Sequence, residues 1–209
     1  MEAVSNKISR KDMEREARRR AILNTAIQLF SEYGFYEVKV DQIADQVGLS
    51  KGTIYLYFEN KEALFFSIIT EKADELVNSL KSSVKEADSF NVSLKQFVTS
   101  YLIFFKENDA FFKIMHSTKS RITAETHYKF HNYAKDVYQI FYDLICKMIK
   151  QGQKENILRP DRTEAMCKVL RGILNSYTFH RIFDPGSSSV PVEEEAEEVV
   201  DLFIKGAQV

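Results

Sequence analysis

The 209-residue chain has no tryptophan, three prolines, seven glycines and two cysteines, and its formal net charge is −1. Each scarcity narrows the field. So few prolines and glycines, with no sustained period-two alternation, point away from sheet and toward an all-α protein. A net charge near zero excludes a generally sticky basic surface, so any nucleic-acid binding has to concentrate its positive charge locally. Cys146 and Cys167 lie inside helical patterns without metal-type spacing, and a reducing compartment is their natural setting. The polar N-terminus carries no apolar signal core, and the longest apolar run, Tyr101–Phe105, is far too short to span a bilayer. The expectation is a soluble cytoplasmic protein with no membrane partner.

What is present is a hydrophobic share of 44% beside 28% charged residues, enough to bury a core in one or two domains. The most informative stretch runs from Val40 to Phe58. Val40, Ile43, Ala44 and Val47 recur at helical spacing on one face. Gly48 stops that helix, Leu49 tucks into the corner, and Ser50 is a good N-cap for a second helix from Lys51 to Phe58. Helix, short turn with glycine, helix is the sequence form of a helix-turn-helix.

On a helical wheel Ile54 and Phe58 fall within about 40° of each other and face inward. Gly52, Thr53 and Leu56 point the opposite way, with Tyr55 and Tyr57 about 80° to either side of the buried stripe. A small ridge edged by two phenols suits a helix lying in a major groove, the ridge near base edges and the hydroxyls near phosphates. Lys51 reaches a guanine edge or a phosphate. The structural alternative is a helical hairpin with two tyrosines at the margin of its core.

Gly34-Phe35, Ile43-Ala44, the run Gly48 to Phe58 and Asn60-Lys61-Glu62-Ala63-Leu64 resemble the tetracycline-repressor (TetR/AcrR-type) family of transcriptional regulators. The resemblance covers the first third of the chain. It implies an N-terminal three-helix DNA-binding domain, residues 1–60, in which residues 1–11, with Lys7, Arg10 and Lys11, read on their own composition as a disordered arm. It further implies a larger helical effector-binding and dimerisation domain, residues 61–209, for about nine helices in all. Base reading falls to Lys51, Gly52, Thr53 and Leu56, and phosphate contacts to Lys39, Ser50, Tyr55, Tyr57 and Lys61. One departure stands out: Val38 and Lys39 occupy positions where relatives carry a capping Ser or Thr, so a phosphate contact there has to come from the charge of Lys39.

Helical patterns continue through the body. Asp12–Tyr33 carries an apolar stripe ended by Gly34. A helix from Lys61 to about Lys85 follows, the family's lever between pocket and DNA-binding domain. Further helices are expected within 94–105, 110–116, 123–150 and 163–183, with a last one opened by Pro191. The loop at Asp184-Pro185-Gly186 separates the final two, and the acidic run Glu193 to Glu198 reads as a solvated helix face.

The middle helices are rich in phenylalanine and tyrosine. Such residues at helical spacing often make plain core. The family resemblance implies an apolar effector cavity among them, for which Tyr101, Phe105, Tyr133, Phe141 and Tyr177 are the candidate lining. The dimer interface is expected from Val169, Leu170, Ile173, Leu174, Val199, Val200, Phe203 and Ile204, unless these stripes close the chain's own core.

His127 and His131 stand four apart, yet no Glu-x-x-His or phosphate-cradling glycine loop accompanies them, so no metal, cofactor or catalytic site is implied. The reading is a homodimeric repressor that leaves a palindromic DNA operator when a small hydrophobic or aromatic effector binds. Two alternatives stay open: a helical sensor or scaffold acting through a protein partner, and a helical enzyme with an unrecognised site.

Overall fold

The computed structural model describes residues 9–84, 89–117, 124–184 and 190–207, without the side chains of 117 and 124–131. Among these residues the chain forms α1 (Arg10–Tyr33), α2 (Val40–Val47), α3 (Lys51–Tyr55), α4 (Lys61–Ser83), α5 (Phe90–Glu107), α6 (Asp109–Ser117), α7 (Ala124–Lys154), α8 (Thr163–Phe183) and α9 (Val192–Ala207). Lys7 of the expected arm, the side chains of His127 and His131, and Pro185-Gly186 lie outside the described residues. Arg10 and Lys11 do not belong to an arm. Ser9 caps α1 by accepting the Asp12 backbone N–H at 3.2 Å, so the helix starts two residues before the expected Asp12.

Contacts divide the chain into two compact units. One runs to Ile69 and takes in the end of α6 from Ile114; the other holds Thr70–Lys113 and the rest. The first unit is built on α1, whose Ile22, Ala26 and Phe30 are almost wholly buried. Phe30, Phe35 and Phe65 meet in a triangle with centroids 5.4, 5.7 and 4.8 Å apart. Each such ring contributes on the order of 2–3 kcal/mol through burial, plus edge-on ring attraction. Val38, one of the residues departing from the family pattern, is 1% exposed and belongs to this core.

The second unit is organised by α5, which packs on α7, α8 and α9. Its buried residues include Phe90, Leu94, Phe97, Val98, Tyr101, Leu102, Phe104 and Phe105, more than one stripe can hold, which marks an interior helix. The far end of α7 comes close to the start of α5. A Cβ on Gly152 would stand 2.9 Å from the Phe90 ring and from Leu158, and the Glu155 carboxylate accepts the Phe90 backbone N–H at 3.0 Å.

Two expectations are corrected here. Cys146 on α7 and Cys167 on α8, read as thiols of a reducing compartment, have Cα atoms 5.7 Å apart and are paired through their sulfurs. The run from Glu193 is not wholly solvated either. Glu195 is 6% exposed and accepts from Arg181 Nη1 of α8 at 2.6 Å, an ion pair with both side chains buried. Among the described residues no helix is long and apolar enough to cross a membrane.

Candidate nucleic-acid interface

The geometry of the interface follows from how α2 ends. Gly48 adopts φ 69° and ψ 33°, a left-handed conformation that a Cβ would strain. Its N–H bonds to the Asp45 carbonyl at 3.2 Å, and the Leu49 N–H bonds back to the Ala44 carbonyl at 2.9 Å. That pair of bonds is a Schellman stop. Ser50 then caps α3, accepting from the Thr53 backbone N–H at 3.1 Å, while its hydroxyl also pairs with that of Thr53 at 2.8 Å. Sequence therefore sets both the turn and the start of the second helix.

The helix itself is shorter than expected. It ends at Tyr55, and Leu56 and Tyr57 follow in a tight turn, with the Tyr57 and Phe58 N–H groups both bonding to the Ile54 carbonyl at 3.0 and 3.1 Å. The expected division into faces is nonetheless present. Ile54 and Phe58 are 1% and 4% exposed, whereas Leu56 is 76% exposed and Gly52 and Tyr55 also face solvent. A Cβ placed on Gly52 would meet only the Ser50 hydroxyl, at 3.8 Å, so nothing among the described residues requires a glycine there.

Charge near this ridge includes one ion pair. The Lys51 ammonium lies 2.8 Å from the Asp41 carboxylate. The hydrogen bond from Lys51 holds the Asp41 carboxyl below the usual carboxylate range, and the same bond raises Lys51. From α1, Arg15 stands 6.0 Å from the centre of the Tyr57 ring and Arg19 stands 5.5 Å from that of Phe58. Lys39 is exposed at the N-cap of α2, where its backbone N–H donates to the Gln42 side-chain oxygen at 2.7 Å.

Lys61 is placed differently from the other assigned phosphate groups. Its ammonium donates to the carbonyls of Phe35 and Val38 and lies 4.4 Å from the Phe35 ring centre. Partial burial pulls it below the ordinary lysine range. Two of its three protons are thus spent inside the protein.

In the body, three of the five candidate lining residues converge. Tyr101 lies 4.9 Å from Phe105 and 5.5 Å from Phe141, measured between ring centres. The other two are elsewhere: the Tyr133 hydroxyl bonds to Thr70 and Asp74 of α4, and Tyr177 interacts with Glu198 of α9. Sequence reasoning missed Asn175, whose Oδ1 accepts from the Tyr101 hydroxyl at 3.2 Å. It gave no sign because the pairing spans two helices.

The expected dimer face also divides. Leu170, Leu174, Val199 and Phe203 are at most 2% exposed and belong to the chain's own core, a correction. They fill the inward side of stripes too broad to serve two purposes at every position. Val169 is 54% exposed, Ile173, Val200 and Ile204 are half-buried, and Leu202, which the sequence did not single out, is 53% exposed. Val169, Ile173 and Leu202 border an open depression of about 200 Å³ between α8 and α9.

Known proteins give this arrangement its context. Residues 22–68 match the family described as "Bacterial regulatory proteins, tetR family". The chain is 37% identical over 65 residues to the fatty acid metabolism regulator protein of Bacillus subtilis, a match covering 31% of this chain and 34% of that protein. It is 36% identical over 66 residues to the HTH-type transcriptional regulator RutR of Escherichia coli, covering 32% and 31%. The matched segment therefore spans about a third of the length of these curated relatives.

Fold similarity extends further. The fatty acid degradation regulator FadR from Bacillus halodurans superposes with a TM-score of 0.76 at 20% identity, covering 90% of this chain and 95% of that one. FadR from Bacillus subtilis in complex with stearoyl-CoA superposes with a TM-score of 0.73 at 17% identity, covering 90% and 99%. Residues 22–68 are thus similar in sequence to the tetR family of bacterial regulatory proteins, and about nine-tenths of the chain is similar in fold to these solved structures.

Proposed function

We propose that the protein is a homodimeric transcriptional repressor that binds a palindromic DNA operator and releases it when an apolar effector enters the body. The observation that carries this reading is the ridge of α3: Gly52 and Leu56 exposed, Ile54 and Phe58 buried directly behind them. An exposed leucine beside a glycine the fold does not need makes sense against a thymine methyl and a closely approaching groove wall. Lys51, Gly52, Thr53 and Leu56 read bases, and Lys39, Ser50, Tyr55 and Tyr57 hold phosphates. Lys61 contributes mainly by bracing the loop before α2.

One such helix reads too few base pairs to select a site alone, so a second copy is needed. The apolar surface left uncovered at Val169, Ile173, Leu202 and Ile204 supports a pairing through α8 and α9. The rings of Tyr101, Phe105 and Phe141 suit a long hydrophobic effector, in keeping with the stearoyl-CoA complex of the Bacillus subtilis protein. Such an effector shifts DNA binding only through different affinity for two shapes of the body.

The reading is tested by incubating the purified chain with sheared genomic DNA and sequencing what it retains. A small set of fragments sharing an inverted repeat, with half-sites about one helical turn apart or slightly more, is expected. A strictly monomeric protein that enriches nothing would overturn it.

A further inference from the structure

Along the seam between α7 and α8, Arg171 stands without an acidic partner among the described residues. Lys168 is paired with Glu164 at 2.7 Å, and Arg181 with Glu195 at 2.6 Å. Arg171, between them on α8, has no carboxylate within ion-pair distance among the described residues. Its guanidinium carbon lies 4.9 Å from the centre of the Tyr138 ring, and its Nε is buried with no hydrogen-bond partner. The face of a phenol returns only part of what such a group loses on leaving water.

The surroundings grade from charged to apolar. On the outer side Tyr138 is 40% exposed and stacks on Tyr142 with ring centres 6.1 Å apart. Lys168, one turn before Arg171, interacts electrostatically with the same two phenols. On the inner side lies Tyr101, near enough for the Arg171 charge to act on its hydroxyl, which is held by Asn175 with Thr178 beside it. Beyond Tyr101 are Phe105 and Phe141, and Phe97 stacks on Phe141 with ring centres 5.7 Å apart. A guanidinium beside an exposed ring, the polar side chains of Asn175 and Thr178, and a set of rings packed behind them match a ligand with one negative end and an apolar remainder.

We propose that Arg171 anchors the negatively charged head group of the effector, an anionic amphiphile whose apolar part enters among Tyr101, Phe105 and Phe141. This rests on the reading of the body as an effector-binding unit. A planar guanidinium offers paired N–H donors that fit either a carboxylate or a phosphate, so the head group comes from a fatty acid or from a phosphate-bearing acyl carrier molecule. The rings touch one another in the structure, so an entering chain parts α5 from α7. That parting is the difference in body shape through which the ligand acts on DNA.

The test uses the full chain and calorimetric titration with dodecanoate and dodecyl phosphate, each below its micellar concentration, and with dodecanol below its solubility limit. At least one anion is expected to bind wild type about tenfold more tightly than the alcohol, and the better of the two identifies the head group. In Arg171→Gln and Arg171→Met the preference for the anion should collapse to within about threefold while the affinity for dodecanol holds, and Arg171→Lys should recover part of it. Dodecanol binding wild type as tightly as both anions would overturn the proposal, as would an undiminished preference in folded Arg171 variants. Binding of none of the three ligands by wild type overturns it as well. DNA binding of the ligand-free variants is measured in parallel and should equal wild type, so loss of the anchor is distinguishable from failure of the repressor reading.

Discussion

The ammonium of Lys61, the first residue of α4, donates to the carbonyl oxygen of Phe35 at 2.8 Å and to that of Val38 at 3.0 Å. A lysine at the start of a helix is thus turned inward, against the backbone that leads into α2. Lys61→Met keeps the apolar stem and removes both charge-assisted bonds. The expected loss is about 2 kcal/mol of stability in a denaturant melt, with DNA affinity falling alike on every duplex. A variant that melts like wild type yet loses affinity would instead place this ammonium on a phosphate.

Gly52 offers a cleaner separation of folding from binding. With only the Ser50 hydroxyl 3.8 Å from a built Cβ, Gly52→Ala should fold normally. Alanine favours a helix over glycine by up to about 1 kcal/mol, so the melting temperature should hold or rise. Affinity for the operator should fall roughly tenfold, the size of one lost base contact. Unchanged binding would show that nothing approaches α3 closely at this point.

In the proposed reading, Asp41 competes with DNA for Lys51. Its folded carboxyl titrates below the ordinary carboxylate range, so the pair is complete above that range and is lost as pH falls through the lowered folded value. Asp41→Asn should raise DNA affinity about threefold at low salt, an advantage that fades as salt is added. It should also remove this contribution to acid sensitivity in melts followed downward from neutral pH. Weaker DNA binding would mean that Asp41 orients Lys51 for its contact.

The buried pair Arg181–Glu195 joins α8 to α9, and Arg181 also donates to the Val190 carbonyl at 3.0 Å. Glu195→Ala leaves a guanidinium inside the protein without its counter-charge. A loss of about 3–5 kcal/mol in denaturant unfolding is expected, with the Glu193→Ala control close to wild type. Equal, small effects from both would place Glu195 in solvent.

How far the sequence could be read depends on whether the deciding contact is local. The caps at Ser50 and Gly48 and the faces of α3 follow from spacing alone, and the structure has them as expected. The end of α3 was misread because a tight turn after Tyr55 returns Phe58 to the side a continued helix would have given it. In the body, Val169 and Leu170 are neighbours in one stripe, one open and one sealed, and periodicity of this breadth cannot separate them. Glu195 looked like its acidic neighbours because its partner sits fourteen residues away on another helix. Arg171 was invisible for the same reason, since its lack of an acidic partner among the described residues is a property of the packed seam.

The central claim is that α3 enters duplex DNA with its Gly52–Leu56 ridge against the bases. It is tested most directly by titrating an enriched duplex and a scrambled one, each across a series of salt concentrations, with wild type and Lys51→Ala. The account predicts a steep negative salt dependence on both duplexes and a clear wild-type preference for the enriched one, and this preference shrinks in Lys51→Ala. Equal, salt-insensitive affinities for the two duplexes, untouched by the substitution, would contradict it.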